Sequence, residues 1–257
     1  MIELTHTTFM IPVKIESDDR RVNLSIVVEY LLKNFNTYII IYEQDLTAKV
    51  PSLFKPHWNP KVRHVFFPSD SQFFHKTRAL NMMTKMSHTP VVASYDSDIL
   101  FPINQIADAA NCVALGRKPF CYPFNTRLYH IEKNFIPTIQ NTLDLASIGS
   151  NTTLRHPGIP PGGAFFIDKS KFFQCGLENE YFISWGPEDQ ERLYRVVKLG
   201  FEVEFINGPI FHLDHSRTPN SNASHAQFAR NEAEYNKIKS MSVGELRNYI
   251  GTWAWTR

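Results

Sequence analysis

The sequence predicts a single α/β domain in which helices flank a mostly parallel central sheet. Short apolar runs alternate with amphipathic helical patterns over the first hundred residues, as they do in chains of β-α-β units. No linker or internal repeat divides the 257 residues. Because crossovers between parallel strands are right-handed, this alternation also predicts that ligands bind beyond the carboxyl ends of the strands.

The first half supplies most of the predicted sheet. Residues 9–15 are apolar enough for a buried strand, and Asp18 and Asp19 then begin an amphipathic helix. The run 37–42 is continuously β-branched and aromatic, which is typical of a parallel strand buried on both faces. The other predicted elements here are a strand at residues 61–67, a helix at 76–87 and a strand at 91–95.

The middle of the chain, residues 119–161, is predicted to form mobile loops over the active site. Pro, Asn and Thr are frequent there, and the helical pattern at residues 135–145 is weak. The Pro- and Gly-rich run 155–163 is typical of a loop. The elements expected beyond it are a strand at residues 164–167, a helix from Pro187 to Gly200, strands at 201–205 and 209–211, and helices at 226–238 and 243–250.

Composition excludes several classes of function. A net charge of +2 is too small for a nucleic-acid-binding protein. The sequence contains no apolar run of about 20 residues that could form a transmembrane segment, and its first residues lack the pattern of a secretory signal. Three cysteines without ligand spacing indicate buried free thiols in a reducing compartment. We therefore expect a cytoplasmic protein; the sequence leaves its oligomeric state open.

Two carboxylates follow the strand at residues 91–95, in the triplet Asp96-Ser97-Asp98. Side chains alternate along an extended segment, so Asp96 and Asp98 face the same side. Two neighbouring carboxylates repel each other in apolar surroundings and favour a bound cation. The alternative is a polar turn. The buried strand before the triplet and the apolar residues after it favour the cation.

A second acidic pair lies in the run Trp185-Gly186-Pro187-Glu188-Asp189. Proline suits the start of a helix, and acidic residues in a first turn are stabilised by the helix dipole, which alone could explain Glu188 and Asp189. Trp185 adds a flat surface on which a sugar ring could stack, and Gly186 would let a ligand approach the backbone. This combination predicts a carbohydrate site.

His212 and His215 lie three residues apart at the end of a predicted strand. Neutral imidazoles suit Mn²⁺ or Zn²⁺, so the pair supplies candidate metal ligands. His212 could instead be buried in the core, which makes His215 the stronger candidate. Basic residues near the expected sheet edge could pair with phosphates, or simply be solvated. These residues are Arg20, Arg21, Lys76 and Arg78.

In these residues the chain resembles glycosyltransferases of the GT-A fold. Its first half is similar to family 2 enzymes in the runs 9–12, 42–45 and 76–81 and in the Asp-X-Asp triplet. From Gly162 onward it resembles the catalytic region of β-1,4-galactosyltransferases and bacterial chondroitin polymerases. The matching segments there are Gly-Gly-Ala-Phe-Phe, Trp-Gly-Pro-Glu-Asp and His-Leu-Asp-His-Ser-Arg.

The resemblance implies a role for each candidate residue. Asp98 and His215 would bind Mn²⁺ or Mg²⁺, with His212 as a third ligand; animal galactosyltransferases have methionine at that third position. Asp189 would be the catalytic base. Trp185, Glu188 and Asp189 would contact the acceptor. The residues expected to contact the nucleotide or donor sugar are Pro12, Lys14, Asp45, Arg78, Asp96, Gly163 and Trp185.

The implied function is the inverting transfer of a hexose or N-acetylhexosamine from a UDP-sugar to a hydroxyl of a glycan acceptor. The alternatives are a metal-dependent sugar-phosphate nucleotidyltransferase, whose Gly-rich basic loop is missing here, and a non-catalytic sugar-binding protein. The animal enzymes carry membrane anchors, so we expect a bacterial or viral enzyme. Residues 1–118 would form the nucleotide-binding half, 119–225 the acceptor and catalytic half, and 226–257 a C-terminal helical extension.

Overall fold

Eleven strands in two sheets form the framework of the described part of the chain, residues 1–156 and 162–256 of a computed structural model. The strands are β1 (Ile2–Val13), β2 (Phe35–Asp45), β3 (Val62–Pro68), β4 (Val91–Tyr95), β5 (Ile99–Leu100), β6 (Phe120–Tyr122), β7 (Leu128–Ile131), β8 (Thr152–His156), β9 (Ala164–Asp168), β10 (Val203–Phe205) and β11 (Ile210–Leu213).

Eight α-helices accompany these strands within the same residues. They are α1 (Asp18–Asn34), α2 (Lys76–Met86), α3 (Ile103–Ala114), α4 (Ile136–Thr142), α5 (Lys169–Gln174), α6 (Glu188–Lys198), α7 (Phe228–Ser240) and α8 (Val243–Gly251).

The larger sheet has seven strands in the order β10-β6-β9-β4-β1-β2-β3. All its pairings are parallel except those of β9, which runs antiparallel to β4 and to β6. The apolar side chains of β1, β2 and β4 are buried because α1, α2 and α3 pack against the sheet. The prediction of a mostly parallel sheet flanked by helices is confirmed.

The elements predicted for the first half are all present. The strand after α2 spans residues 91–95, as predicted, and α1 begins at Asp18. β1 is longer than expected, because it starts at Ile2. Its first residues are partly exposed, with Glu3 and Thr5 facing solvent, so they lack the continuous apolar pattern of a buried strand.

The prediction of loops throughout residues 119–161 was wrong. This region contributes β6, β7, β8 and α4. β8 consists of partly and fully exposed residues, and β7 has only four residues, so neither shows the apolar run that marks a buried strand. Residues 157–161 of the predicted loop lie outside the described part of the chain.

Helices α3 and α5 were not predicted. A signal for α3 is nevertheless present, because Ile106, Ala110 and Val113 recur at helical spacing and are all buried. α5 has six residues and connects β9 to the segment before α6. Such a short helix carries too little periodicity to be recognised.

The smaller sheet, in the order β5-β11-β7-β8, brings distant parts of the chain together. β11 pairs antiparallel with β5, which places His212 opposite Ile99, and parallel with β7, which places His212 opposite His130. The backbone N–H of Leu213 also donates to the carbonyl of Asp98, at 2.8 Å. This pairing carries Asp98 to the end of the strand that bears His212.

The C-terminal helices are docked onto the rest of the chain. Ile238, Leu246, Ile250 and Trp253 form a small apolar cluster, and α7 packs against α6. All three cysteines are buried free thiols, as expected. None of the helices within the described residues has both the length and the apolar composition needed to cross a bilayer. The division into residues 1–118, 119–225 and 226–257 stays a prediction.

Candidate active site

A cavity of about 680 Å³ opens beyond the carboxyl ends of β1 and β4. Its walls come from the segment after β4, the first turns of α2 and α6, the end of β11 and the exposed side of α7. The sequence-predicted residues that line it are Pro12, Asp96, Asp98, Gly163, Trp185, Glu188, Asp189, His212 and His215.

One wall carries a carboxylate and two imidazoles that could hold a metal ion. The Nε2 atoms of His215 and His212 lie 3.0 and 3.8 Å from Oδ2 of Asp98. The ligand atoms of these three residues all lie within 4.8 Å of one another. The predicted trio Asp98, His212 and His215 is therefore assembled in space; its role as a metal site stays a prediction.

The hydrogen bonds of His215 show why this group suits a cation. Its Nδ1 lies 2.9 Å from the carbonyl oxygen of Ser216, which can only accept, so Nδ1 carries a proton. In the neutral ring Nε2 then has a lone pair, and that lone pair faces the carboxylate of Asp98 at 3.0 Å. Two lone pairs at this distance repel unless a positive species lies between them. A carboxylate with two imidazoles is a donor set that Mn²⁺ accepts.

Electrostatics keep these ligands in the forms that bind metals. Burial opposes ionisation of Asp98, but the histidines and Arg20 outweigh it and lower the pKa of this carboxyl below its usual range. Burial lowers the pKa of His212 to about 3, so its ring is neutral at physiological pH. Nδ1 of His212 is buried and has no hydrogen-bond partner among the described residues.

A third histidine, His130 on β7, lies beside this group and was not predicted. Its ring centroid is 4.7 Å from that of His212, and its Nδ1 is 3.6 Å from Oδ1 of Asp214. Arg155 and Arg217 act on the same ring and, after burial, lower its pKa further. His130 falls in the region predicted to be loop, so its placement depends on a strand pairing that the sequence pattern did not reveal.

A second wall carries three carboxylates around one ammonium group. Nζ of Lys76 lies 2.9 Å from Oδ1 of Asp96, 3.6 Å from Oδ2 of Asp189 and 4.0 Å from Oε1 of Glu188. Glu188 and Asp189 begin α6, where the helix dipole favours negative charge. The sequence analysis treated Lys76 as a candidate partner of phosphate and did not predict this contact.

The three carboxylates differ in their ease of ionisation. Burial and the neighbouring charge of Asp189 raise the pKa of Glu188 to about 8. Burial also raises the pKa of Asp96, to about 6, although Lys76 opposes the rise. Burial acts in the same direction on Asp189, but Lys76 and Arg192 outweigh it, so its pKa is lowered. Asp189 is therefore the member of the cluster that is ionised and able to accept a proton at neutral pH.

Arg192 supports Asp189 from behind. Its NH2 group lies 2.7 Å from Oδ1 of Asp189, and its NH1 group lies 2.8 Å from Oε1 of Glu178. The guanidinium also lies over the ring of Phe165, 3.8 Å from the centroid. Gly162 passes close on the other side, because a Cβ there would lie 2.2 Å from Oδ2 of Asp189. The carboxylate of Asp189 is thus fixed from several directions.

Trp185 presents a flat surface at the mouth of the cavity. Its side chain is 43% exposed and stacks on Phe228 of α7, with ring centroids 5.6 Å apart. Its backbone carbonyl accepts hydrogen bonds from His225 and Asn231. Gly186 is needed for this contact, because a Cβ there would lie 2.7 Å from Nδ2 of Asn231. This glycine therefore serves the packing of α7, a reason different from the ligand approach that we expected.

Helix α7 contributes residues to the cavity that the sequence analysis missed. Glu232, Tyr235 and Asn236 line the wall beside Trp185. They recur three and four residues apart, which places them on one face of the helix. The polar pattern of the segment was interpreted as an extension, and the missing signal was its docking position.

Three predicted nucleotide contacts lie outside the set of described residues that line the cavity. Lys14 donates to the carbonyl of Ser71, and Asp45 forms an ion pair with Lys49, at 2.7 Å. The guanidinium of Arg78 lies 5.0 Å from the centroid of a ring, that of Phe67. The nucleotide-binding roles of Lys14, Asp45 and Arg78 stay predictions.

Comparison with known proteins identifies the fold. No protein-family model matches the sequence, and no curated protein matches it either. Among solved structures, the chain is similar to the crystal structure of GalNAc-T7 with UDP, GalNAc and Mn²⁺, with 14% identity and a TM-score of 0.58. The match covers 90% of this chain and 47% of that chain, so this chain spans about half its length. The GT-A fold is confirmed; the subfamilies named from the sequence stay predictions.

Proposed function

We propose that the protein is a metal-dependent, inverting glycosyltransferase that moves a hexose or N-acetylhexosamine from a UDP-sugar to a hydroxyl of a glycan acceptor. The observation that carries the proposal is the shared cavity: a group of one carboxylate and two imidazoles and a fixed, ionised carboxylate line the same space. That space lies at the carboxyl ends of parallel strands, where α/β folds bind nucleotides.

The first wall would bind the donor. Asp98, His212 and His215 would hold Mn²⁺ or Mg²⁺, and the bound ion would neutralise charge on the departing diphosphate. The structural relative with UDP, GalNAc and Mn²⁺ supports this class of donor. Asp96 and Gly163 would border the nucleotide and the donor sugar. The sugar itself stays undetermined, since one hydroxyl contact in the wall can decide it.

The second wall would bind the acceptor and accept its proton. Trp185 offers a stacking surface for a pyranose ring, and Glu188, protonated at neutral pH, can donate a hydrogen bond to a sugar hydroxyl. Asp189 would take the proton of the attacking hydroxyl as the new glycosidic bond forms on the face opposite the diphosphate. A positioned base contributes about 10²–10⁴-fold to such a step.

The first test is a turnover assay with a panel of UDP-sugars, Mn²⁺ and mixed oligosaccharide acceptors. We expect sugar transfer from at least one donor, or slow release of UDP when no acceptor is present. Formation of pyrophosphate from a sugar phosphate and a nucleoside triphosphate would instead indicate a nucleotidyltransferase. The cytoplasmic setting and the bacterial or viral origin stay predictions that depend on the sequence.

The second test is the variant Asp189→Asn, which removes the base and retains the size of the side chain. We expect kcat to fall by about 10²–10⁴-fold while the affinity for UDP with Mn²⁺ stays within about twofold. Asp108→Asn, at an exposed position of α3, is the matched control and should retain full activity. Unchanged turnover in Asp189→Asn would exclude this residue as the base.

A further inference from the structure

Lys76 occupies an electrostatically unfavourable position at the start of α2. The N-terminus of a helix carries partial positive charge, which disfavours a cation there. The first turn of α2 has no acidic residue and no side-chain cap to offset this effect. The side chain is also mostly removed from water, with 17% of it exposed. Something outside the helix must stabilise the ammonium group.

The stabilising groups are the three carboxylates of the second wall. Asp96 comes from the end of β4, and Glu188 and Asp189 come from the first turn of α6. Burial alone would lower the pKa of Lys76, but these carboxylates outweigh it and raise the pKa above its usual range. Lys76 therefore stays protonated at every pH at which the protein is folded and active.

The two oxygens of Asp189 meet different cations. Oδ1 is paired with Arg192, which is buried and also held by Glu178. Oδ2 faces Lys76 at 3.6 Å, and Lys76 lines the cavity whereas Arg192 does not belong to its described lining. Arg192 is thus a fixed support. Lys76 is the cation on the side from which a substrate would approach.

We propose that Lys76 is a positioning residue that sets the base strength of Asp189 and holds its Oδ2 in place for the acceptor hydroxyl. The inference rests on the proposed function, in which Asp189 is the base. Without the ammonium group, Asp189 would face Asp96 and Glu188 with Arg192 as its remaining close cation. Behind Arg192 lie Glu178 and Tyr122, and Asp96 itself faces Asp98.

The expected consequence is a shift in the titration of Asp189. An opposite charge within about 4–6 Å lowers the pKa of a carboxyl by about 1–3 pH units, so removing it reverses that effect. In Lys76→Met the pKa of Asp189 should therefore rise by about 1 pH unit or more. Lys76→Arg, which keeps the charge, should restore most of the original value.

Carbon-13 NMR of the aspartate carboxyl groups tests this directly. The signal of Asp189 is assigned by its loss in Asp189→Asn and followed from pH 3 to pH 8 in the wild type, Lys76→Met and Lys76→Arg. Lys85→Met is the matched control, because Lys85 lies at the other end of α2 and donates to the carbonyl of Trp255. Its Asp189 signal should titrate as in the wild type.

Activity gives a second readout that a merely structural role would not move. The acid limb of the kcat/KM profile should shift upward in Lys76→Met by the same interval as the NMR titration. Activity should consequently fall about tenfold more at pH 5 than at pH 8. The affinity for Mn²⁺ should stay within about twofold, because the ion pairs recorded for Lys76 do not include Asp98, His212 or His215.

An Asp189 signal that titrates identically in Lys76→Met and the wild type would overturn the inference. Should Lys76→Met fail to fold, Lys76→Gln removes the charge while keeping a hydrogen-bond donor, and the same criterion applies. The proposed function fails separately, if the wild type transfers sugar from no UDP-sugar. In that case the NMR titration alone still supports or overturns the influence of Lys76 on Asp189.

Discussion

The two walls of the cavity satisfy their buried negative charge in opposite ways. Asp98 faces two imidazoles, of which His212 is kept neutral by its burial, so this wall lacks a close cation of its own at Oδ2. Asp189 is instead held between Lys76 and Arg192, which are both part of the chain. One wall is built to receive an external cation, and the other carries its own.

This difference separates the binding of the donor from the handling of the acceptor. A wall that needs an external ion binds a diphosphate only when the metal is present. A wall with built-in cations keeps its carboxylate ionised and in place before any substrate arrives, which is the condition for an efficient base. The comparison therefore predicts that metal dependence and base function can be removed independently.

The largest expected effect comes from the first wall. Asp98→Ala removes the carboxylate that both imidazoles face, and we expect the Mn²⁺-dependent affinity for UDP to fall by about 10³-fold or more. The loss of an outer-shell partner alone costs about 10–100-fold in metal affinity, and a direct ligand should cost more. Isothermal titration calorimetry of UDP with and without Mn²⁺ measures it.

The structure of the second wall should be unaffected by that change. Asp108→Ala, on the exposed face of α3, controls for the loss of a carboxylate elsewhere. If Asp98→Ala bound UDP with Mn²⁺ as tightly as the wild type, the two walls would not differ in the way described.

The next effect is on stability and comes from the second wall. Arg192→Met leaves Asp189 and Glu178 buried without their cation, which typically costs about 3–5 kcal/mol in the free energy of unfolding. Urea denaturation at pH 7 measures the loss. The double variant Arg192→Met/Glu178→Gln should recover part of it, because one unpaired charge is removed.

A loss of less than about 1 kcal/mol in Arg192→Met would show that this ion network does not fix Asp189. The matched control is Arg247→Met in α8, a residue that is exposed and distant from the cavity lining. It should leave the free energy of unfolding within about 0.5 kcal/mol of the wild type.

The smallest expected effect is a pH dependence of stability at Glu188. Its pKa is raised to about 8 in the folded protein, so its burial favours folding at low pH, where the unfolded chain is also protonated. This contribution is lost as the pH rises from about 4.5 towards 8, because ionisation is easier in the unfolded chain. Oε2 of Glu188 is buried without a hydrogen-bond partner among the described residues, which fits a protonated side chain.

The variant Glu188→Gln cannot ionise and should remove that dependence. Relative to the wild type, it should gain about 1 kcal/mol or more of unfolding free energy between pH 5 and pH 8. Urea denaturation at the two pH values measures the difference. An equal change in both proteins would show that Glu188 ionises normally in the folded state.

The first wall could be anticipated from the sequence because its residues follow local patterns. Asp98 comes directly after a recognisable strand, and His212 and His215 end another. Their approach to each other follows from the pairing of β5 with β11. The α/β class and the parallel sheet were predictable for the same reason, since each strand and helix of the first half has a clear period.

The second wall could be anticipated only in part. Asp189 was marked by the residues around it, but its partner Lys76 is 113 positions away, and no local period connects them. Arg192 was hidden because a basic residue on a helix is ordinarily solvated. His130 was missed with β7, whose short, partly buried sequence resembles a loop. Long-range contacts between polar residues are thus the features that sequence patterns did not provide.

The account depends most on the claim that the two walls serve one substrate complex. A crystal structure of the protein with Mn²⁺ and UDP tests this directly. The account predicts an ion bound by Asp98, His212 and His215, a diphosphate on that ion, and Asp189 facing the same space with Lys76 beside it. An ion or a nucleotide bound at another surface, away from Asp189, would contradict it.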